Sequence, residues 1–273
     1  MGKLYVVGTP IGNLGDFSPR AAETLEKVDF IAAEDTRVTA KLLNHFGIKK
    51  PMVIYQKFNE TEQGEHIVSR LAGGECCAIV TDAGMPCISD PGETLVRMCI
   101  EAGVEVEAVP GPSAVISALA VSGLSVSRFT FEGFLSVKRT SRMEHLRELL
   151  HERRTMVFYE APHKLLSTLK DMNSVFGERK IVIVRELTKI HECSWRGTLS
   201  EAVAYNEENP PRGEYVLILE GESAEAEQKD PLEEAIRIAR ELMESGKPAS
   251  MAAKEAAKLT GRTKGEIYKM LIE

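Results

Sequence analysis

Short apolar runs alternate with longer amphipathic stretches through the first half of the sequence, and this rhythm limits the fold more than any other feature. Residues 4–7, 30–33, 52–55, 77–80 and 104–109 are apolar runs of strand length. Between or after them, residues 19–28, 39–46, 62–71, 93–102 and 113–121 carry helical patterns. Ser18 and Pro19 open the first helix as an N-cap followed by proline at the first helical position. Parallel neighbours must be joined by crossovers, so the alternation predicts a parallel sheet with helices on its faces.

The second half is mixed. Residues 130–134, 156–159, 181–184 and 215–219 read as strands, and 142–151 and 164–175 as helices. The length of 273 residues fits about two domains. We expect a first α/β domain over 1–123, ending after the apolar helix at Ser122-Gly123, and a second over 124–222. Residues 222–229 are polar and acidic and read as a linker. Beyond them a helical tail, 230–273, opens at Asp230-Pro231, breaks at Gly246-Lys247-Pro248, and continues as helices over 252–259 and 264–271 around Gly261. Helix, short turn, helix has the form of a helix-turn-helix unit. The expected fold class is therefore α/β, a parallel-sheet domain plus a mixed-sheet domain, with a small helical tail.

The formal net charge of −7 argues mildly against a nucleic-acid partner, because phosphate affinity comes from Lys and Arg. Its distribution is uneven. Over residues 245–272 of the tail, Lys247, Lys254, Lys258, Arg262, Lys264 and Lys269 stand against only Glu255 and Glu266. A second basic run, Lys138, Arg139, Arg142, Arg147, Arg153 and Arg154, is interleaved with Glu144, Glu148 and Glu152, so it reads equally as a solvated face of paired charges. The 5 cysteines include no C-x-x-C spacing, which fits a reducing compartment and no metal site. The N-terminus enters an apolar strand without a basic leader, and no apolar run is long enough to span a bilayer. A cytoplasmic protein without a membrane partner is expected.

In an open parallel sheet, ligands bind outside the carboxyl ends of the strands. There the chain places Gly8-Thr9-Pro10-Ile11-Gly12-Asn13-Leu14-Gly15-Asp16, Ala33-Glu34-Asp35-Thr36-Arg37, Thr81-Asp82-Ala83-Gly84-Met85-Pro86-Cys87-Ile88-Ser89-Asp90-Pro91-Gly92, and Pro110-Gly111-Pro112-Ser113-Ala114. Each loop read alone is ordinary turn chemistry. Together on one rim they describe a cleft for a small, nucleotide-like ligand, although neither a G-x-G-x-x-G fingerprint nor a Walker A sequence is present.

These four loops resemble the ribosomal RNA small-subunit methyltransferase I family, a branch of the tetrapyrrole methylase superfamily. The likeness continues through Gly133-Phe134-Leu135, Tyr159-Glu160-Ala161-Pro162-His163, Arg185-Glu186-Leu187-Thr188-Lys189 and Gly213-Glu214-Tyr215 into the helical tail, and so covers nearly the whole chain. It departs at Glu192-Cys193, where a second acidic residue is expected at Cys193.

The resemblance implies two α/β domains with S-adenosylmethionine between them, usually in a homodimer. The implied reaction is methylation of a cytidine ribose 2′-oxygen in the decoding region of 16S ribosomal RNA, within the small ribosomal subunit. By similarity the cofactor contacts are Pro10, Asp82, Ala83, Gly84, Met85, Ser113, Ala114 and Tyr159. The ribose hydroxyl is a weak acid, so a positioned base or cation helps it lose its proton. Asp35, Glu160 and Lys189 are the catalytic candidates, with His163 and Glu186 beside them; each has a structural alternative, such as helix capping for Asp35 and a surface ion pair for Lys189 with Glu186. Arg37, Lys138, Arg139, Arg142, Lys254, Lys258, Arg262 and Lys264 are the expected RNA contacts, although the tail also reads as a protein-packing unit. Two other readings stay open: a methyltransferase of the same superfamily acting on a tetrapyrrole or other small molecule, and a non-catalytic RNA-binding assembly factor.

Overall fold

The computed structural model describes residues 2–222, 231–244 and 247–272. The chain forms two compact units, Met1–Leu150 with Arg154–Glu220, and His151–Arg153 with Gly221–Glu273.

The first unit holds two sheets. Strands β1 (Lys3–Val7), β2 (Phe30–Ala33), β3 (Met52–Ile54), β4 (Cys77–Val80) and β5 (Glu105–Val109) form a five-stranded sheet in the order β3-β2-β4-β1-β5. Every pairing in it is parallel. Parallel strands covered on both faces must be apolar on both, and β4 (CAIV) is buried throughout. Cys77 and Ile79 face one layer, where α3 (Glu60–Ala72) and α4 (Glu93–Glu101) supply Ile67, Leu71, Leu95 and Cys99. Ala78 and Val80 face the other, where α1 (Pro19–Lys27) and α2 (Thr36–His45) supply Ala21, Leu25 and Leu43. Ser18 caps α1 as expected, accepting from the Ala21 amide at 3.1 Å. Helix α2 starts three residues earlier than its periodicity predicts, because Asp35 caps it by accepting from the Arg37 amide.

This arrangement contains a topological switch point. Neighbours β1 and β4 send their following helices, α1 and α4, to opposite faces of the sheet. Ligands of open α/β sheets bind at such a point, in the crevice outside the carboxyl ends of the strands.

Helix α5 (Ala114–Ser122) leaves the first sheet and packs on the second. Its Val115, Ala118 and Leu119 meet Val157, Val182, Val184, Val216 and Ile218. The second sheet comprises β6 (Phe129–Phe134), β7 (Thr155–Glu160), β8 (Lys180–Arg185), β9 (Cys193–Thr198) and β10 (Tyr215–Leu219), in the order β6-β7-β10-β8-β9. Only β6 and β7 are parallel, which makes it the expected mixed sheet. Its other face is covered by α6 (Arg139–Glu148), α7 (Pro162–Phe176) and α8 (Leu199–Glu208), through Leu146, Leu165, Leu169, Met172 and Leu199. Successive strand side chains point to opposite faces. Met156 and Phe158 accordingly join the helix layer, whereas Val157 and Tyr159 face α5.

β9 and α8 were absent from the sequence expectations. β9 is an edge strand (CSWRGT) paired only with β8, so it is free of the apolar demand that made its neighbours legible. α8 did carry a signal: Thr198 and Glu201 form a reciprocal capping box.

The second unit contains α9 (Pro231–Glu244), α10 (Ala249–Thr260) and α11 (Lys264–Ile272). They pack through Ile267 and through Ala235, Ala239, Ala252, Ala253 and Ala256, alanines that let helix backbones approach closely. Gly261, at φ 70°, ends α10 in the left-handed conformation and turns the chain into α11. The expected linker at 223–229, the Asp230 cap and the break at Ser245 and Gly246 lie outside the described residues.

Candidate functional site

The crevice is built from backbone that only small residues permit. The Gly8 amide donates to Val109 O at 3.1 Å, which ties the turn after β1 to the end of β5. Thr9 and Gly84 exchange two backbone hydrogen bonds of 2.9 and 3.2 Å, which ties the same turn to the one after β4. A Cβ on Gly8 would lie 2.6 Å from Gly111 Cα, and one on Gly111 would lie 2.7 Å from Gly8, so two loops touch backbone to backbone. The turn after β4 then bends through Cys87 (φ 73°) and Ser89 (φ 68°), left-handed positions without glycine. Such strain gathers where a fold must hold a loop in one shape for binding.

The resulting cleft has a volume of about 540 Å³. Its first wall is Thr81 to Met85, Ile88 to Asp90, Ser113 and Ala114; its second is Phe134, Tyr159, Val184, Leu187 and Val216. The period-2 alternation of β7 explains why Tyr159 lines it. Its ring lies edge-on to Phe131, with centroids 4.9 Å apart, and 5.4 Å from Phe134. The lobes also meet where Gly133 approaches Ser89 and where the Lys189 side chain passes Gly12.

Carboxylates crowd one end. Glu34 accepts from the Thr81 hydroxyl at 2.6 Å and the Asp82 amide at 3.3 Å, and Asp82 accepts from the Asp35 amide at 3.1 Å. Burial, together with the nearby Glu34 carboxylate, pushes the Asp82 carboxyl above its ordinary range. The same causes, with Asp82 added, push Asp90 up to about 6. Among the described residues no group of three or more His, Cys, Asp or Glu is arranged to hold a metal ion. Burial also raises the Tyr159 phenol, against a lowering contact from the Val115 backbone.

S-adenosylmethionine fits this site on three counts. The volume lies in the range of small-ligand clefts, about 300–1,000 Å³. The turn after β4 presents Ala83 and Gly84, backbone with little side chain, to the cleft. Finally, carboxylates held near one another at a cost are relieved by a cation such as a sulfonium.

Of the expected cofactor contacts, Asp82, Ala83, Gly84, Met85, Ser113, Ala114 and Tyr159 line the cleft; Pro10 does not, although its neighbour Ile11 does. Of the catalytic candidates only Glu160 lines it. Glu160 is 2% exposed and faces α7: its Oε1 accepts from the Ala161 amide (2.9 Å) and pairs with Lys164 (2.8 Å), while its Oε2 accepts from Thr168 (2.6 Å). Asp35 caps α2 and forms an ion pair with Arg37 at 2.6 Å, which holds its carboxyl down at about 2. Lys189 Nζ lies between Glu186 (3.1 Å) and Glu214 (2.8 Å); burial acts to lower its pKa, but the two carboxylates carry it above the ordinary value. His163 is exposed on the first turn of α7.

Among the RNA candidates, Arg37, Lys138, Arg139, Lys254, Lys258, Arg262 and Lys264 are exposed. Arg142 requires a correction. It is 5% exposed, pairs with the buried Asp171 at 2.7 Å, and donates to the carbonyls of Ser136 and Val137. A guanidinium so committed inside the second lobe cannot meet a phosphate. Glu34, Phe134 and Asp90, to which the motifs assign no role, also line the cleft. A polar residue such as Asp90 in a loop of turn-forming neighbours carries no periodicity that would mark it as cleft-facing.

A family model for the tetrapyrrole (corrin/porphyrin) methylases matches residues 3–203. The chain is 47% identical over 274 residues to the ribosomal RNA small subunit methyltransferase I of Synechocystis sp., covering 100% of this chain and 98% of that protein. Its identity to the protein of the same name from Escherichia coli O157:H7 is 44% over 275 residues, covering 100% and 95%. The Thermotoga maritima relative, also so named, is 49% identical over 221 residues, covering 81% of this chain and 99% of its own length. Among solved structures, a uroporphyrin-III-C-methyltransferase from Thermus thermophilus aligns with a TM-score of 0.57 at 19% identity, covering 81% of this chain and 94% of its own. A diphthine synthase aligns with a TM-score of 0.60 at 13% identity, covering 82% and 91%. These two share the fold, the α/β architecture expected above.

Proposed function

Because the chain belongs to the ribosomal RNA small subunit methyltransferase I family of S-adenosylmethionine-dependent methyltransferases, we propose that it methylates the 2′-oxygen of a cytidine ribose in the decoding region of 16S ribosomal RNA. The observation that carries this reading is one cleft shared by both lobes of the first unit, combined with relatives of that name along the full chain.

The cofactor supplies a methyl group already activated on sulfur, so the protein's task is mainly alignment. Asp82 to Met85, Ser113 and Ala114 hold it from the first lobe, and Tyr159 closes over it from the second. Lys189, kept charged by Glu186 and Glu214, supplies positive potential at the edge where the two lobes meet. Asp35 acts indirectly, through its backbone amide on Asp82 and its grip on Arg37. Glu160 fixes the turn into α7 beside Tyr159. Arg37, Lys138 and Arg139 take phosphates near the body, and Lys254, Lys258, Arg262 and Lys264 take them on the tail. The working division is 1–123 for the cofactor loops, 124–222 for completing the cleft and 230–273 for RNA, in a cytoplasmic homodimer acting on the small subunit.

The test is to map ribose methylation on small subunits incubated with the protein and S-adenosylmethionine. One 2′-O-methylcytidine in the decoding region is expected. Methylation of a base, or of a porphyrin with none on ribosomal RNA, rejects the proposal.

A further inference from the structure

Asp90 sits in the turn after β4, beside the left-handed Ser89, and lines the cleft with Ser113 and Tyr159. We propose that Asp90 is the general base that takes the proton from the attacking ribose hydroxyl. This inference rests on the reading of the cleft given above. In the step, the 2′ O–H bond breaks and its proton passes to an Asp90 carboxylate oxygen. An O–CH3 bond forms as the methyl–sulfur bond breaks, and the electron pair stays on sulfur, which leaves as a neutral thioether.

The first support is that each other carboxylate of the cleft already accepts a hydrogen bond or an ion pair from the protein. Both oxygens of Glu160 accept bonds from its own lobe. Glu34 takes the Thr81 hydroxyl and the Asp82 amide, and Asp82 takes the Asp35 amide. Glu214 is paired with Lys189, which is itself held in the charged form and has no lone pair to offer. Among the described residues the Thr81 hydroxyl is the donor beside Asp90, and its single proton goes to Glu34 at 2.6 Å.

The second support is its surroundings. Glu34 at the end of β2, Asp82 in the same turn and Tyr159 from β7 line the cleft with it, and the cation that acts on Asp82, Arg37, is already paired with Asp35. Half-buried between like charges, the carboxylate sits at about 6, ionised at neutral pH yet a stronger base than an ordinary aspartate. The third support is an exit for the proton. Thr81, next to Asp90, donates to Glu34 at 2.6 Å, and Glu34 is partly exposed.

The experiment compares full-length wild type, Asp90→Asn and Asp90→Glu. It measures S-adenosylmethionine affinity by calorimetry and single-turnover methylation of small subunits from about pH 5 to about pH 9. It also follows the carboxyl titration of the cofactor-free protein by carbon NMR of labelled aspartate. We expect Asp90→Asn to slow the single turnover about 100- to 10,000-fold, the usual reach of a general base. Rates are compared at saturating cofactor, because loss of a carboxylate facing the sulfonium should weaken cofactor affinity by up to about tenfold, and the acid limb of the rate profile should disappear. Asp90→Glu should recover part of the rate. The cofactor-free wild type should show one aspartate resonance titrating near the value given above, absent from Asp90→Asn.

The assignment is overturned by a loss of rate under about tenfold, by a loss of affinity that accounts for the loss of rate, or by no aspartate titrating above about pH 5. A wild type that methylates no ribose defeats the functional reading and this assignment together. An active wild type with an equally active Asp90→Asn defeats the assignment alone.

Discussion

Replacing Arg142 by alanine separates a structural role from RNA binding. Its Nη2 lies 2.7 Å and its Nε 2.9 Å from the Asp171 carboxylate, with the two side chains 6% and 5% exposed. Truncation leaves Asp171 buried and strips a donor from the carbonyls of Ser136 and Val137. Breaking one side of a buried pair costs about 3–5 kcal/mol. Arg139 stays on the other carboxylate oxygen at 2.9 Å, but it is 73% exposed, so it recovers only about 1 kcal/mol. The expected loss is therefore about 2–4 kcal/mol, read as a lower urea midpoint at unchanged slope. The double variant Arg142→Met, Asp171→Leu removes both charges together and should recover most of that loss. Small-subunit affinity at a temperature where Arg142→Ala is folded should match wild type. A wild-type midpoint combined with weakened, less salt-dependent RNA binding would refute this reasoning and restore Arg142 as a phosphate contact.

Gly111→Ala places a Cβ 2.7 Å from the Gly8 backbone, so one of the two loops must move. We expect a stability loss of about 1–3 kcal/mol and an S-adenosylmethionine Kd at least about tenfold higher by calorimetry. Asp90 has a native pKa raised from 3.8 to about 6, so its favourable contribution is full below the unfolded value and is lost as pH rises through the native one. Asp90→Asn should consequently stabilise the protein at about pH 7.5 and leave it no more stable than wild type below about pH 4. After discounting for solvent screening of a half-exposed group, the gain is about 1 kcal/mol, measurable by urea unfolding at the two pH values. Neutralising Lys254, Lys258, Arg262 and Lys264 together to Gln should weaken small-subunit binding and flatten its salt dependence by up to about three units of slope. Cofactor affinity should not change.

How much of this was legible beforehand depended on whether a residue sat in a repeating environment. β4 and β10 are buried throughout, so every position obeys one rule and the runs stand out. The rim loops were legible for the opposite reason, since Gly8 and Gly111 meet backbone to backbone and Gly84 takes a left-handed φ of 85°. β9 escaped because an edge strand tolerates Ser, Arg and Gly. Arg142 misled because charge along the sequence does not reveal direction. It lies on α6 among exposed basic residues, yet it faces the buried Asp171 that α7 supplies. Glu160 ends β7 at the border of the two faces: it lines the cleft, while its carboxylate is held by Lys164 and Thr168 of α7, a commitment that sequence position does not reveal.

A crystal structure with S-adenosylhomocysteine bears most directly on the central claim, that turns from both lobes make one cofactor cleft. The account predicts the adenosyl group against Asp82 to Met85 and Ser113-Ala114, with Tyr159 over it and the sulfur facing Asp90. Density for the ligand away from these residues, or held by one lobe alone, would contradict it.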